Sequence, residues 1–169
     1  MTTLTTHRIT ARPLTPEAFE PYGAVLAATE DGAPFSEREA LLDLSRGTPR
    51  FYVMALVDKP PVFTGITRHR AVTQTLAAVG GRPWLLAVAP PHDVDVPDAH
   101  PALDDITAFH IPGDVAVLLH RGTWHSGPFF DGEQMSFFNL ELADTNQVDH
   151  HTYRLDRELG LRCEVIVPA

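Results

Sequence analysis

The sequence predicts an all-β domain in which about ten short strands close into a jelly roll or barrel. Three observations carry that reading. Short apolar runs rich in β-branched and aromatic residues recur along the whole chain. Fifteen prolines and eleven glycines punctuate them, with no low-complexity block or internal repeat. The 169 residues are enough for one domain with a sizeable core, so residues 1–169 are read as a single unit.

In chain order, strands are expected at residues 7–14, 23–28, 50–57, 62–69, 71–79, 83–90, 106–111, 115–119, 134–142 and 161–167. The last alternates cleanly: Leu161, Cys163, Val165 and Val167 share one face, with Arg162 and Glu164 opposite. A short helix is expected in "TPEAFEPYG", with Thr15 capping it, Pro16 in its first turn, Glu17 complementing its positive end and Gly23 ending it. The stretch "SEREALLDLS" reads either as a second helix or as a loop. The proline-rich "PPHDVDVPDAHPALDD" reads as an exposed connection.

The formal charge of −9 disfavours phosphate backbones and anionic lipid, so neither nucleic acid nor a membrane surface is an expected partner. One cysteine, Cys163, allows no intrachain disulfide and no multi-cysteine zinc site. No apolar run approaches a bilayer span, and "MTTLTTHRIT" is not a signal peptide, which makes the cytoplasm the expected location.

Polar chemistry concentrates in three places. "TRHRAVTQ" holds Arg68, His69 and Gln74; strict alternation would put His69 and Gln74 on opposite faces, so both can face one cavity only if the chain turns near Arg70-Ala71. "LLHRGTWHSGPFF" holds Arg121 and His125 around Gly122, whose conformational freedom can turn His125 back toward the face of the preceding strand. "LSRGTPRF" places Arg50 ahead of a long apolar run, suited to pairing with a carboxylate or to simple solvation. His110 is a candidate for the interior, and His150 and His151 for the mouth. His69, Gln74 and His125 would be the ligand set for a divalent metal, but an amide oxygen is a weak ligand and no acidic third ligand lies near His69.

These residues resemble a known family. "TRHRAVTQ" followed by "HRGTWHSGP", with "RPLTPEAFEPYGAVL" and "RGTPRFYVMAL", is similar to the ureidoglycolate lyases, and the resemblance covers most of the chain. It implies a cupin-type barrel, a homodimer and cleavage of ureidoglycolate, a small carboxylate, to glyoxylate and urea late in purine (allantoin) breakdown. The chain departs from the family's usual pattern at Thr67, where an acidic residue is common, and at Ser126, where a second histidine is common.

On this reading His125 is the expected base, with His69 as acid or orienting group. Arg68, Arg121 or Arg50 would hold the carboxylate, and Gln74 the ureido amide. No cofactor is needed, and a divalent metal is the alternative. The competing functions are a metal-dependent cupin dioxygenase or isomerase acting on another small acid, and a non-catalytic cupin that binds a small carboxylate.

Overall fold

The computed structural model describes residues 3–169. The chain begins with β1 (Thr5–Thr10), β2 (Arg12–Pro13), α1 (Pro16–Phe19) and β3 (Gly23–Leu26). Next come β4 (Pro49–Val57), β5 (Val62–Phe63), β6 (Gly65–Arg68), β7 (Gln74–Ala78) and β8 (Trp84–Ala89). A 3₁₀ turn at Leu103–Asp105 precedes β9 (Thr107–Ile111), β10 (Ala116–Leu119), β11 (Trp124–Phe129) and β12 (Gln134–Leu142). The chain closes with α2 (Thr145–Val148), β13 (His151–Arg154), α3 (Leu155–Glu158) and β14 (Leu161–Ile166).

All ten expected strands are present, two of them split: 7–14 into β1 and β2, and 62–69 into β5 and β6. Two strands were not expected, β11 and β13. Short polar residues in "WHSGPF" and the uniformly half-buried, largely polar "HTYR" hide the alternation of these two. Three single-turn helices form rather than one or two. Thr15 caps α1 as expected, accepting from the Ala18 amide at 3.1 Å, but α1 ends before Gly23. Gly23 instead opens β3, where any Cβ would collide with the Leu118 carbonyl across the strand pair. The segment 36–45 forms no helix; Asp43 ties it down by exchanging bonds with Thr73.

The strands form a five-stranded sheet ordered β3-β10-β7-β12-β4, a six-stranded sheet ordered β13-β6-β11-β8-β9-β2, and a small sheet ordered β1-β14-β5. The six-stranded sheet is covered on both faces. Its inner face packs on the five-stranded sheet through Leu86, Val88, Phe109, Leu76, Val117 and Phe137. Its outer face packs on the small sheet through Leu85, Ala87, Ile66, Trp124, Cys163 and Val165. This double burial is why all six residues of β8 are buried, a continuous apolar run rather than an alternating one. Among the described residues no helix is long and apolar enough to cross a membrane.

Alternation along β6 now decides what each side chain can reach. Thr67 faces the inner space and Arg68 the outer one. Arg68 is fully buried there, with its guanidinium over the Trp124 ring. It donates to His151 Nδ1 at 3.0 Å and to the Asp93 and Val96 carbonyls at 3.1 and 2.6 Å. Arg68 therefore clamps the connection after β8 against β13, and the carboxylate contact expected of it is replaced by contacts within the protein. His151 shares this outer side, and His110, opposite Leu85, also faces away from the inner space.

Replacing Arg68 by Met should cost about 3 kcal/mol or more in urea unfolding, because two buried carbonyls and an imidazole lose a charged donor. A loss below about 1 kcal/mol would show that the clamp carries no weight.

Candidate active site

The connection between β6 and β7 crosses from one sheet to the other, so His69 and Gln74 both face the space between them. The turn expected at Arg70-Ala71 lies in this crossing, and the Asp149 carboxylate fixes it by accepting from both amides, at 2.7 and 2.8 Å. Gly122, at φ +80°, makes the second crossing; a Cβ there would strike Val94, and its amide donates to the His69 carbonyl at 2.7 Å. The chain then enters β11 in the opposite sheet. His125 reaches the interior from that strand, opposite Val88 and Thr67, and not by folding back on β10.

His69 and His125 thus meet, with ring centroids 5.0 Å apart, and His150 lies 5.6 Å from His69. A carbonyl can only accept, so His69 Nδ1–H donates to Asp149 O at 2.6 Å and His125 Nδ1–H to Thr123 O at 3.2 Å. In the neutral rings Nε2 is left as a bare acceptor on both. Burial keeps both imidazoles neutral. His125 is pushed down to about 3 by burial first and by the His69 ring second. His69 is also lowered by burial, but the Asp149 carbonyl, its carboxylate and Glu141 all pull the other way.

Gln74 belongs to a second polar group built on β7, β12 and β4. Its Nε2 donates to Asn139 Oδ1 and to Glu141 Oε2, both at 3.2 Å. Tyr52 Oη donates to Glu141 Oε1 at 3.3 Å and accepts from Asn139 Nδ2 at 3.1 Å. The guanidinium of Arg50 lies over the Tyr52 ring, 3.6 Å from its centroid, and Arg50 is the cross-strand partner of Glu141. Tyr52, Asn139 and Glu141 were not anticipated. The signal for them was present: polar residues stand at the inward positions of two otherwise apolar strands.

A cavity of about 380 Å³ opens at the edge where the segment after β4 faces β6 and β11. His125, His150, Thr67, Ser126 and Lys59 line it. Thr67 and Ser126 are therefore both on its wall, and Thr67 Oγ1 is satisfied by Thr152 Oγ1 at 2.7 Å. Lys59, another residue not anticipated, brings a cation to this wall. Arg121 lies beside the His69 crossing, where its Nε donates to Arg70 O at 2.9 Å and approaches Asp43 at 4.0 Å.

As a metal centre the set fits poorly. Among the described residues no three His, Cys, Asp or Glu side chains gather in ligand geometry, and the third member of the expected set, the amide oxygen of Gln74, is a weak ligand.

Comparison with known proteins agrees with the family resemblance. The chain is 26% identical to a ureidoglycolate lyase of Stutzerimonas stutzeri, over 90% of this chain and 94% of that one. It is 27% identical to a ureidoglycolate lyase of Pseudomonas fluorescens, over 90% and 96%. A solved Bacillus subtilis oxalate decarboxylase superposes with a TM-score of 0.40 at 12% identity, covering 66% of this chain and 25% of that one. The family described as ureidoglycolate lyase matches residues 6–160, and the chain belongs to that family.

Proposed function

We propose that this protein is a carbon–nitrogen lyase that cleaves ureidoglycolate into glyoxylate and urea, in the breakdown of allantoin. Family membership supports the substrate. The observation that carries the chemistry is the pair of buried neutral imidazoles, ring centroids 5.0 Å apart, each with a bare Nε2.

The reaction moves one proton. The hydroxyl of the substrate's central carbon loses it, the carbonyl of glyoxylate forms, the carbon–nitrogen bond breaks, and the departing urea nitrogen gains it. One imidazole can take and return that proton. The surroundings favour His69 for this role: Asp149 and Glu141 stabilise its protonated form, whereas no carboxylate does so for His125, where the Thr123 carbonyl alone opposes burial and the other imidazoles. The roles expected from the sequence are thus exchanged, with His125 Nε2 accepting a hydrogen bond from the substrate and orienting it. Lys59 supplies charge for the carboxylate, with Arg50 the further cation over the inner sheet. Gln74 meets the ureido group. Arg121 supports the His69 crossing.

The protein would act as a homodimer in the cytoplasm. The outer face of β4 and β12 suits a second copy: Phe51 and Phe138 stack there, 68% and 39% exposed, on a sheet that ends at β4. Sedimentation should give a dimer of the 18.6 kDa chain that Phe138→Asp converts to monomer; a monomeric wild type rules this out.

Incubation with ureidoglycolate should release glyoxylate and urea in equal amounts, unchanged by a chelator. His69→Ala should lower kcat by about 10²-fold or more, and Lys59→Met should mainly raise KM. Release that vanishes on chelation and returns with a metal would make the two histidines ligands. No release from folded protein would overturn the activity.

The pH dependence follows from the lowered pKa values. A base works only when unprotonated, so kcat/KM should hold above pH 6.5 and fall only as pH drops through the depressed pKa of His69. Stability behaves likewise: unfolded histidine titrates near 6.5, so the neutral burial of His125 alone should cost about 2 kcal/mol by pH 5. An acid limb centred above pH 6.5 that His69→Ala removes would refute the assignment.

A further inference from the structure

The polar group around Gln74 has a single sense. Glu141 is 1% exposed, and both its oxygens accept, one from Gln74 Nε2 and the other from Tyr52 Oη and Asn146 Nδ2. Because the Tyr52 proton goes to Glu141, Tyr52 Oη is free to accept from Asn139 Nδ2. That turns Asn139 Oδ1 toward Gln74, whose Nε2 therefore faces two acceptors. Flipping the Gln74 amide would set its oxygen 3.2 Å from two other oxygens with no hydrogen between them. One atom of the network is left over: Gln74 Oε1, which is buried and has no partner in a side chain only 7% exposed.

We propose that Glu141 is a positioning residue that locks the Gln74 amide with its oxygen unpartnered. That oxygen selects a ligand carrying an N–H donor, namely the terminal NH₂ of a ureido acid, over isosteres that carry methyl or oxygen there. This rests on the ureido-acid reading above and adds how that class is recognised. The position of the network supports it. Gln74 lies on the inner face of β7, two residues before the core residue Leu76, and Glu141 is close enough to His69 to act on its charge. A site built around an unpaired acceptor discriminates strongly, because a ligand lacking the donor leaves that acceptor stranded.

The test uses two unreactive probes of nearly equal shape, N-carbamoylglycine and N-acetylglycine, titrated calorimetrically into the full-length protein. The wild type should bind the carbamoyl probe at least about tenfold more tightly. Glu141→Gln supplies a donor of its own and frees the Gln74 amide to flip. It should reduce the preference to about threefold or less while binding N-acetylglycine as the wild type does. Equal affinity of the wild type for the two probes, or no binding of either, overturns the proposal; so does a tenfold preference that survives in Glu141→Gln. If that variant does not fold, Gln74→Met must lose the preference instead, and its retention is equally fatal. Probe preference without release of glyoxylate would refute the reaction and leave this subsite standing, whereas release without preference would refute the subsite alone.

Discussion

The six-stranded sheet is buried on both faces, and most of what the molecule can do follows from that constraint. A strand covered on one side can tolerate a polar residue by turning it to water. A strand covered on both must satisfy each polar group within the protein. β6 resolves this residue by residue: Thr67 pairs with Thr152 inside, Arg68 holds two carbonyls and an imidazole outside, and His69 is held by a carbonyl as the strand ends. Adjacent residues thus serve different layers, Arg68 the outer one and His69 the inner one.

The same burial sets the electrostatics. The chain carries a formal charge of −9, yet the imidazoles of the interior are neutral, because removing them from water disfavours their charged forms more than nearby carboxylates restore them. Net charge describes the surface that a partner meets at a distance; the interior is governed by a few contacts. Lys59 and Arg50 stay exposed, where a cation is well solvated.

Much of this was legible in the sequence. Apolar runs located the strands, and the need for a turn between His69 and Gln74 identified the crossing that the structure contains. Gly122 marked a turn, but its destination, a new strand in the opposite sheet rather than the face of β10, was not visible because "WHSGPF" lacks alternation. Arg68 was misplaced because a positive charge beside a histidine looks like an anion site when the strand is assumed to have one buried face. Glu141 and Asn139 were passed over as ordinary polar residues of a strand; only the knowledge that their side chains point inward gives them meaning. Lys59 reaches the cavity by long-range topology alone.

Asp149 has a wider consequence. Its carboxylate caps two amides of the β6–β7 crossing, and its carbonyl orients the His69 ring, while its own backbone closes the turn of α2. Two connections far apart in the chain are therefore fastened at one residue, and the imidazole is fastened with them. The end of the molecule that holds the paired imidazoles is thus tied at a single residue, and loss of the Asp149 carboxylate would leave two amides of the crossing without their acceptor.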